Sequence, residues 1–241
     1  MPKFFIDNSQ IVNNEITIYG GDARHIAKVL RKSPGDAVVA SCAGVDYVCE
    51  IRSVSEARIV ATVRSSAQTD TEPAVRVTLC QALPKGDKFD LIIQKCVELG
   101  VHAIVPVITE HTVAKVGGLP EARLTRYNKI AEAAAKQSGR GYVPRVAGCA
   151  TLSEAIFITA GMDVKLAAHE KNAPHIKQLK YPYNLNTAAV FIGPEGGFSD
   201  KEVEQFITSG VSLVNLGPRV LRTETAAFTA LIILLYETEC L

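Results

Sequence analysis

The 241-residue chain contains no tryptophan, and only 6% of its residues are aromatic. It also lacks any run of about 20 apolar residues, the length that a membrane-spanning helix needs. Its longest strongly apolar run, residues 226–236, has eleven. No long apolar stretch follows a basic end at the amino terminus, so the first residues do not look like a secretory signal. We therefore expect a cytoplasmic protein with no membrane partner.

Metal-binding and disulfide motifs are also missing. The six cysteines are spread over the whole chain without a C-x-x-C pair, and the five histidines show no H-E-x-x-H spacing. Zinc sites and disulfide frameworks normally show such spacings. We therefore expect no metal and no disulfide framework.

The chain has little net charge, only +1, because 26 Lys and Arg nearly balance 25 Asp and Glu, but the charges are unevenly distributed. Residues 75–148 hold eleven Lys and Arg against six Asp and Glu, and residues 24–32 contain no acidic residue at all. Local basic patches on a neutral protein suit a polyanion that is contacted over a limited area. The alternative is an ordinary solvated surface.

The first 72 residues show short alternating segments typical of a small β-barrel. A helix is predicted from Asp22 to about Lys32, with Asp22 as its N-cap and with Ile26, Val29 and Leu30 on one face. The polar segment 65–73 is a candidate linker to the next domain. The predicted strands are Ile16–Tyr19, Ala37–Ala40, Val45–Ile51 and Arg58–Val63.

From residue 73 onward, strands alternate with helices. This order predicts an α/β domain over 73–241, in which a mostly parallel sheet carries helices on both faces. The predicted strands are Val75–Cys80, Ala103–Ile108, Val164–Ala168, Ala188–Ile192 and Val211–Leu216. The predicted helices are Asp87–Leu99, Leu124–Gln137, Asp200–Thr208 and Glu224–Glu239.

A glycine-rich loop follows the strand that ends at Ile192. It reads GPEGGFS over residues 193–199, and Ser199 with Glu202 then forms the S-x-x-E capping box that opens a helix. Backbone N–H groups can face a ligand in such a strand, loop and helix arrangement. The loop lacks both G-x-G-x-x-G and G-K-[ST], which disfavours NAD and nucleoside triphosphates. The alternative is a tight turn without a ligand.

A second loop, LGPRVLRT over residues 216–223, also joins a buried strand to a helix. Arg219 and Arg222 flank two apolar residues, and Thr223 is a predicted N-cap. Ligands of parallel sheets bind beyond the carboxyl ends of the strands, so two such loops on adjacent strands would form one pocket. The alternative is that the arginines pair with Glu224 or cap carbonyls.

The last helix is apolar on every side, which predicts burial all round. One side of it is expected to face a second copy in a homodimer, and the alternative is a helix interior to a single chain.

Five segments in order carry a resemblance to a known family. They are RHIAKVLRKSPGD at 24–36, KCVELGVHAIVP at 95–106, AAAKQSGRGYVP at 133–144, GPEGGFS at 193–199 and LGPRVLRTETAA at 216–227. On these the chain resembles, over essentially its whole length, the RsmE-type 16S ribosomal RNA uridine-N3 methyltransferases of the SPOUT class. It differs from the family pattern at Lys3 and His111, since the family tends to show arginine at both places.

The resemblance implies a trefoil-knotted α/β domain after a PUA-like β-barrel, and a homodimer formed through the knotted domain. It implies S-adenosylmethionine as cofactor, and 16S rRNA or the small ribosomal subunit as partner. The cofactor-binding residues that we expect are His169, Ile192, Gly193, Pro194, Glu195, Gly196, Gly197, Leu216, Gly217, Leu221, Thr223 and Ala226. The expected RNA contacts are Lys3, Arg24, His25, Lys28, Arg31, Lys32, Arg123 and Arg126, with Lys136 and Arg140 as extensions of that surface.

Methylation at uridine N3 requires an unpaired base and loss of the N3 proton. Fixed positive groups can stabilise the resulting uracil anion, and Arg222 and Arg140 are the candidates for this catalytic role. Glu195 could accept the proton only if burial raised its pKa. The alternatives are a non-catalytic RNA-binding or ribosome-assembly protein, a related SPOUT enzyme acting on ribose 2′-oxygen or on tRNA, and a doubly wound small-molecule enzyme.

Overall fold

The computed structural model describes residues 1–112, 119–170, 173–182 and 184–240. The chain forms two compact units, Met1–Glu72 with Ala135–Val143, and Pro73–Ala134 with Pro144–Leu241. The first break falls between residues 72 and 73, and residues 135–143 pack with the first unit.

The first unit contains a six-stranded sheet in the order β1-β4-β5-β6-β3-β2. Its pairs are antiparallel except β1 with β4, which run parallel. Inward residues alternate along the strands, as Ile16 and Ile18 do, and they build one apolar core. The strands are β1 Lys3–Phe5, β2 Ile11–Val12, β3 Glu15–Tyr19, β4 Ala37–Cys42, β5 Val45–Val54 and β6 Arg58–Gln68.

Strand β6 is longer than its sequence suggests. Residues 65–68, predicted as part of a linker, pair with residues 45–48 of β5. Their side chains are exposed, and backbone hydrogen bonds alone hold this end of the strand. Polar composition therefore gave a wrong boundary, because an exposed strand end needs no apolar side chains.

The helix predicted at Asp22 begins earlier and changes its geometry. Helix α1 spans Gly20–Arg24 with Tyr19 as N-cap, so Asp22 is not the cap; its carboxylate instead accepts a hydrogen bond from Lys136 Nζ at 2.8 Å. The segment His25–Val29 continues as a π-helix. Its wider turns break the predicted common face, since Ile26 is buried while Val29 is exposed.

The second unit is built on a seven-stranded sheet, in which every pair within the described residues is parallel. The order is β10-β8-β7-β12-β11-β13, with β9 beside β8. This confirms the α/β prediction. The strands are β7 Arg76–Ala82, β8 Ala103–Ile108, β9 Arg145–Val146, β10 Ala150–Thr151, β11 Val164–Ala168, β12 Thr187–Ile192 and β13 Ser212–Val214.

Helices connect these strands. They are α2 Lys88–Glu98, α3 Glu121–Gln137, α4 Leu152–Ile158, α5 Asp200–Thr208 and α6 Thr223–Glu237. Helix α4 was missed, although Thr151 and Glu154 form a complete capping box whose T-x-x-E pattern is visible in the sequence. Single 3-10 turns occur at Asn8–Gln10 and Ile176–Gln178. Among the helices that the structure describes, none has the length and apolarity to cross a membrane.

Helix α6 is not buried on every side within the chain. Ala227, Ala230, Leu231 and Leu234 face the interior, whereas Tyr236 is 72% exposed. The prediction of all-round burial is therefore wrong for the single chain, because the helix packs against α2 and the sheet on one side only.

Candidate active site

A cavity of about 450 Å³ lies at the carboxyl ends of β11, β12 and β13. This volume is within the usual range for small-molecule sites, about 300–1,000 Å³. Its walls come from residues 168–170, 192–198, 215–217 and 219–223, together with Asp200 and Ala226. The predicted loops therefore do form one pocket, but their strands are not adjacent, since β11 lies between β12 and β13.

All twelve residues expected to bind the cofactor line this cavity. His169 and Glu170, which follow β11, supply a third wall. The predicted catalytic residue Arg222 also lines the cavity, and the remaining lining residues are Ala168, Phe198, Asp200, Asn215, Arg219 and Val220.

The glycine loop is held in a fixed shape at its carboxyl end. The predicted capping box is confirmed, because Glu202 Oε2 accepts from the N–H of Ser199 at 2.8 Å and Ser199 Oγ accepts from the N–H of Glu202 at 3.4 Å. Phe198 packs edge-on against Phe206 of α5, with ring centroids 4.9 Å apart. Gly197 has φ +69°, which strongly favours glycine.

His111 also holds the glycine loop. Its Nδ1 lies 3.1 Å from the carbonyl oxygens of Gly196 and Gly197. Since carbonyls only accept, Nδ1 is the donor in this arrangement. A Cβ on Gly196 would lie 3.0 Å from the Cβ of His111, so the close approach depends on glycine. No sequence pattern pointed to this contact, because His111 lies 85 residues away from Gly196 along the chain.

Thr223 links the two loops. It is the first residue of α6, with Arg222 at the N-cap, so the predicted capping role of Thr223 is wrong. Thr223 Oγ1 donates to the carbonyl of Gly193 at 2.7 Å and accepts from Gln81 Nε2 at 2.9 Å. Gln81 is fully buried at the end of β7 and was missed from the sequence. The Thr223 side chain therefore acts as a cross-brace, which connects the glycine loop to the second loop and to β7 at the wall of the cavity.

The side chains of Arg219 and Arg222 are exposed at the cavity. Neither forms an ion pair with any residue that the structure describes, so the alternative that they pair with Glu224 is not observed. Lys88 Nζ lies near Glu224 instead, at 3.6 Å from Oε2. Both guanidinium groups are thus available to an anionic ligand.

Arg140 occupies a different environment from the one predicted. It belongs to the first unit and is not among the lining residues. Its side chain is 3% exposed, and its guanidinium binds the carboxylate of Glu72 at 2.5 and 3.2 Å. A buried guanidinium already bound to a carboxylate is poorly suited to stabilise a uracil anion.

Glu195 is ionised rather than poised to accept a proton. Partial burial acts to raise its pKa, but the hydrogen bond from Lys88 at 3.0 Å and the backbone N–H of Lys85 outweigh burial and hold the pKa below its ordinary value. The condition under which Glu195 could act as a base, a pKa raised by burial, is therefore not met.

The predicted RNA-contact residues differ in accessibility. Arg24, His25 and Arg31 have exposed side chains, and the ammonium of exposed Lys28 lies 3.0 Å from Glu56. Lys32 lies 3.6 Å from Asp36. In the second unit, Arg123 is exposed and Arg126 pairs with Asp90.

Lys3 is not available on the surface. Its side chain is 9% exposed, and Nζ lies 2.6 Å from Asp46 and donates to the carbonyls of Gly139 and Arg140 at 2.7 and 3.2 Å. Lys136, proposed as an extension of the surface, likewise pairs with Asp22 at 2.8 Å. The prediction that Lys3 contacts RNA is contradicted by this arrangement, because its three donors are satisfied inside the first unit.

Comparisons with known proteins agree with this architecture. Residues 71–235 match the RNA methyltransferase domain family, and residues 18–64 match the RNA methyltransferase PUA domain family. The fold and the cavity thus define an RNA methyltransferase domain preceded by a PUA domain.

Comparison with individual proteins shows which RNA methyltransferases the chain is similar to. The chain is 33% identical to ribosomal RNA small subunit methyltransferase E of Bacillus subtilis, covering 100% of this chain and 98% of that protein. It is 32% identical to the same-named protein of Synechocystis, over 95% of this chain and 75% of that one. A crystal structure of the Neisseria gonorrhoeae protein bound to S-adenosyl methionine superimposes with a TM-score of 0.89, 30% identity and 98% coverage of both chains. The chain belongs to the ribosomal RNA small subunit methyltransferase E family.

Proposed function

We propose that this protein transfers the methyl group of S-adenosylmethionine to N3 of a uridine in 16S rRNA, as a homodimer in the cytoplasm. The observation that carries the proposal is the cavity at the ends of β11, β12 and β13, in which both loops and His169 meet. The relatives named for small-subunit rRNA methylation support the substrate.

The chemistry of the cavity fits S-adenosylmethionine, which combines a neutral adenine with a cationic sulfonium. Three carboxylates, those of Glu170, Glu195 and Asp200, line the cavity together with two arginines, Arg219 and Arg222, and no lysine is found among the lining residues in the described ranges. The carboxylates can attract the sulfonium cation, and the two guanidinium groups remain available to the RNA. Backbone groups of the glycine loop and the apolar side chains of Leu216 and Leu221 would hold the adenosyl part.

Bound S-adenosylmethionine supplies an electrophilic methyl group. The role of the chain is to hold uridine N3 in line with that methyl and to favour the deprotonated base. Arg222 is the residue that we assign to stabilise the uracil anion, because its exposed guanidinium has no ion-pair partner among the residues described here. Transfer of this methyl group to N3 would break its bond to sulfur, leave S-adenosylhomocysteine in the cavity and pass the N3 proton to solvent.

A homodimer explains the exposed side of α6. Ile232 and Tyr236 lie on that side, and Ala226, two turns earlier, lines the cavity. A second copy that covered this side would bury apolar surface next to the site. Sedimentation of the wild-type protein and of an Ile232→Lys variant tests this arrangement, and a wild-type monomer at micromolar concentration would contradict it.

RNA affinity is assigned to the exposed basic side chains of the first unit, Arg24, His25, Lys28 and Arg31. These groups supply salt-dependent attraction to phosphates without reading sequence.

The test is transfer of labelled methyl from S-adenosylmethionine to small ribosomal subunits from cells that lack the protein. Nuclease digestion and mass spectrometry should find the label in 3-methyluridine. A 2′-O-methylated nucleoside, or label only in tRNA, would favour a related enzyme of another specificity. Cofactor and RNA binding without any transfer would favour the non-catalytic alternative.

A further inference from the structure

Lys88, the first residue of α2, lies between the two loops of the cavity without lining it. Its Nζ is 3.0 Å from Glu195 Oε1 in the glycine loop and 3.6 Å from Glu224 Oε2 in the first turn of α6. One ammonium group thus bridges the carboxylates of both loops.

The bridge is partly shielded from water, with side-chain exposures of 34% for Lys88, 30% for Glu195 and 14% for Glu224. Glu224 Oε2 is buried and has no hydrogen-bond partner in the described part of the chain, so its charge depends on Lys88. The backbone N–H of Lys85 adds a second hold on Glu195, at 3.3 Å from Oε1. The first residue of α2 and the turn before this helix therefore hold the glycine loop at two points.

The protonation states support a permanent ion bridge. The hydrogen bond with Glu195 raises the pKa of Lys88, while hydrogen bonds hold the pKa of Glu195 below its ordinary value. Without the ammonium, two carboxylates would face each other across the gap and repel, and the two loops would move apart. Thr223, the other brace, does not compensate for that charge.

We propose that Lys88 is a positioning residue, which sets the spacing of the two loops through Glu195 and Glu224 and thereby sets the affinity of the cavity for the adenosyl cofactor. The inference rests on the proposed function of the cavity. It assigns no contact between Lys88 and the cofactor or the RNA.

The experiment compares Lys88→Met with Lys95→Met, which removes the same charge from a half-buried ion pair, with Glu98, on the same helix. Calorimetric titration with S-adenosylhomocysteine should show about five- to tenfold weaker binding for Lys88→Met, as expected for loss of partly shielded ion pairs. Lys95→Met should match wild type, and Lys88→Arg should recover most of the affinity. Methyl transfer by Lys88→Met should show a raised KM for S-adenosylmethionine with a smaller change in kcat.

Two further measurements separate positioning from general stability. Added salt should weaken the affinity of the wild-type protein for S-adenosylhomocysteine toward the affinity of Lys88→Met, because salt screens the ion bridge. The affinity of Lys88→Met should depend less on salt. In a Glu224→Gln background, Lys88→Met should cost less affinity than in wild type, because the two residues act as a unit. Wild-type binding and Glu224→Gln binding remain measurable even if Lys88→Met does not fold.

The outcomes distinguish the two proposals. Wild-type protein that takes up neither S-adenosylhomocysteine nor S-adenosylmethionine overturns the proposed function. If the wild-type protein binds S-adenosylhomocysteine and Lys88→Met or Glu224→Gln binds it as tightly as wild type at both low and high salt, the role of Lys88 is overturned and the proposed function is not.

Discussion

Replacing Thr223 by valine should destabilise the second unit and loosen the cavity, because this buried hydroxyl braces both loops. The change keeps the shape of the side chain but removes two hydrogen bonds, to the Gly193 carbonyl at 2.7 Å and from Gln81 Nε2 at 2.9 Å. Gln81 Nε2 keeps its second bond, to the carbonyl of Ala82 at 2.9 Å, so the main loss falls on Gly193.

A buried polar group left without a partner costs about 1–3 kcal/mol, and the lost bond from Gln81 adds to this, so we expect a loss of about 2–3 kcal/mol. For a protein of this size the melting temperature should fall by roughly 5–10 °C. Differential scanning calorimetry measures the shift, and titration with S-adenosylhomocysteine measures the accompanying loss of affinity.

Thr225→Val is the matched control, since Thr225 is exposed on the same helix and its side chain forms no hydrogen bond with the residues described. Adding Gln81→Leu to Thr223→Val should reduce the loss of melting temperature. Gln81 Oε1 already has no hydrogen-bond partner within the described ranges, and leucine beside valine removes this unsatisfied amide group from the interior. If Thr223→Val melted no lower than Thr225→Val, the cross-brace would have no energetic role.

Three other predictions concern charged residues. Arg222→Ala should keep affinity for S-adenosylhomocysteine and lose about 10²–10³-fold in turnover, as when one anion-stabilising donor is removed; unimpaired methylation of small subunits would exclude Arg222 from the mechanism. Arg31→Ala should lower the slope of the logarithm of RNA affinity against the logarithm of salt concentration by about one unit. Lys3→Ala should lower the melting temperature and leave that slope unchanged. A lower slope with an unchanged melting temperature in Lys3→Ala would show that the buried ion pair of Lys3 is misassigned. Hydrogen bonds, the strongest from Thr187 Oγ1, lower the pKa of Asp163, and the pKa of Glu195 is also lowered. The two carboxylates therefore stabilise the folded protein fully above the ordinary carboxyl pKa of about 4, and this stabilisation is lost as the pH falls below it. The melting temperature should therefore be flat from neutral pH to about pH 5 and fall below that, less so in Asp163→Asn, and equal falls in the two proteins would contradict the assignment.

Local sequence signals predicted the elements that depend on neighbouring residues. The S-x-x-E pattern at Ser199 predicted the start of α5, and the capping hydrogen bonds of Ser199 and Glu202 confirm it. The alternation of strands and helices along the chain predicted the parallel sheet. Where local rules failed, tertiary contacts had overridden them. Asp22 binds Lys136 instead of capping a helix, and exposed residues 65–68 extend a strand because β5 offers them a partner.

The two loops, with their glycines and arginines, could be predicted from the sequence, because turn chemistry and capping act within a few residues. Which side chains meet at these loops depends on contacts between residues that are distant in the chain. Gln81 and Thr223 are 142 residues apart in the chain, and Lys88 and Glu195 are 107 apart. The same holds for Lys3 and Arg140, whose charges pointed to a surface while the fold placed them in buried ion pairs. Periodicity fixes the conformation of a segment, but the insertion of β11 between β12 and β13 sets which segments face one another, and that depends on packing across the whole sheet.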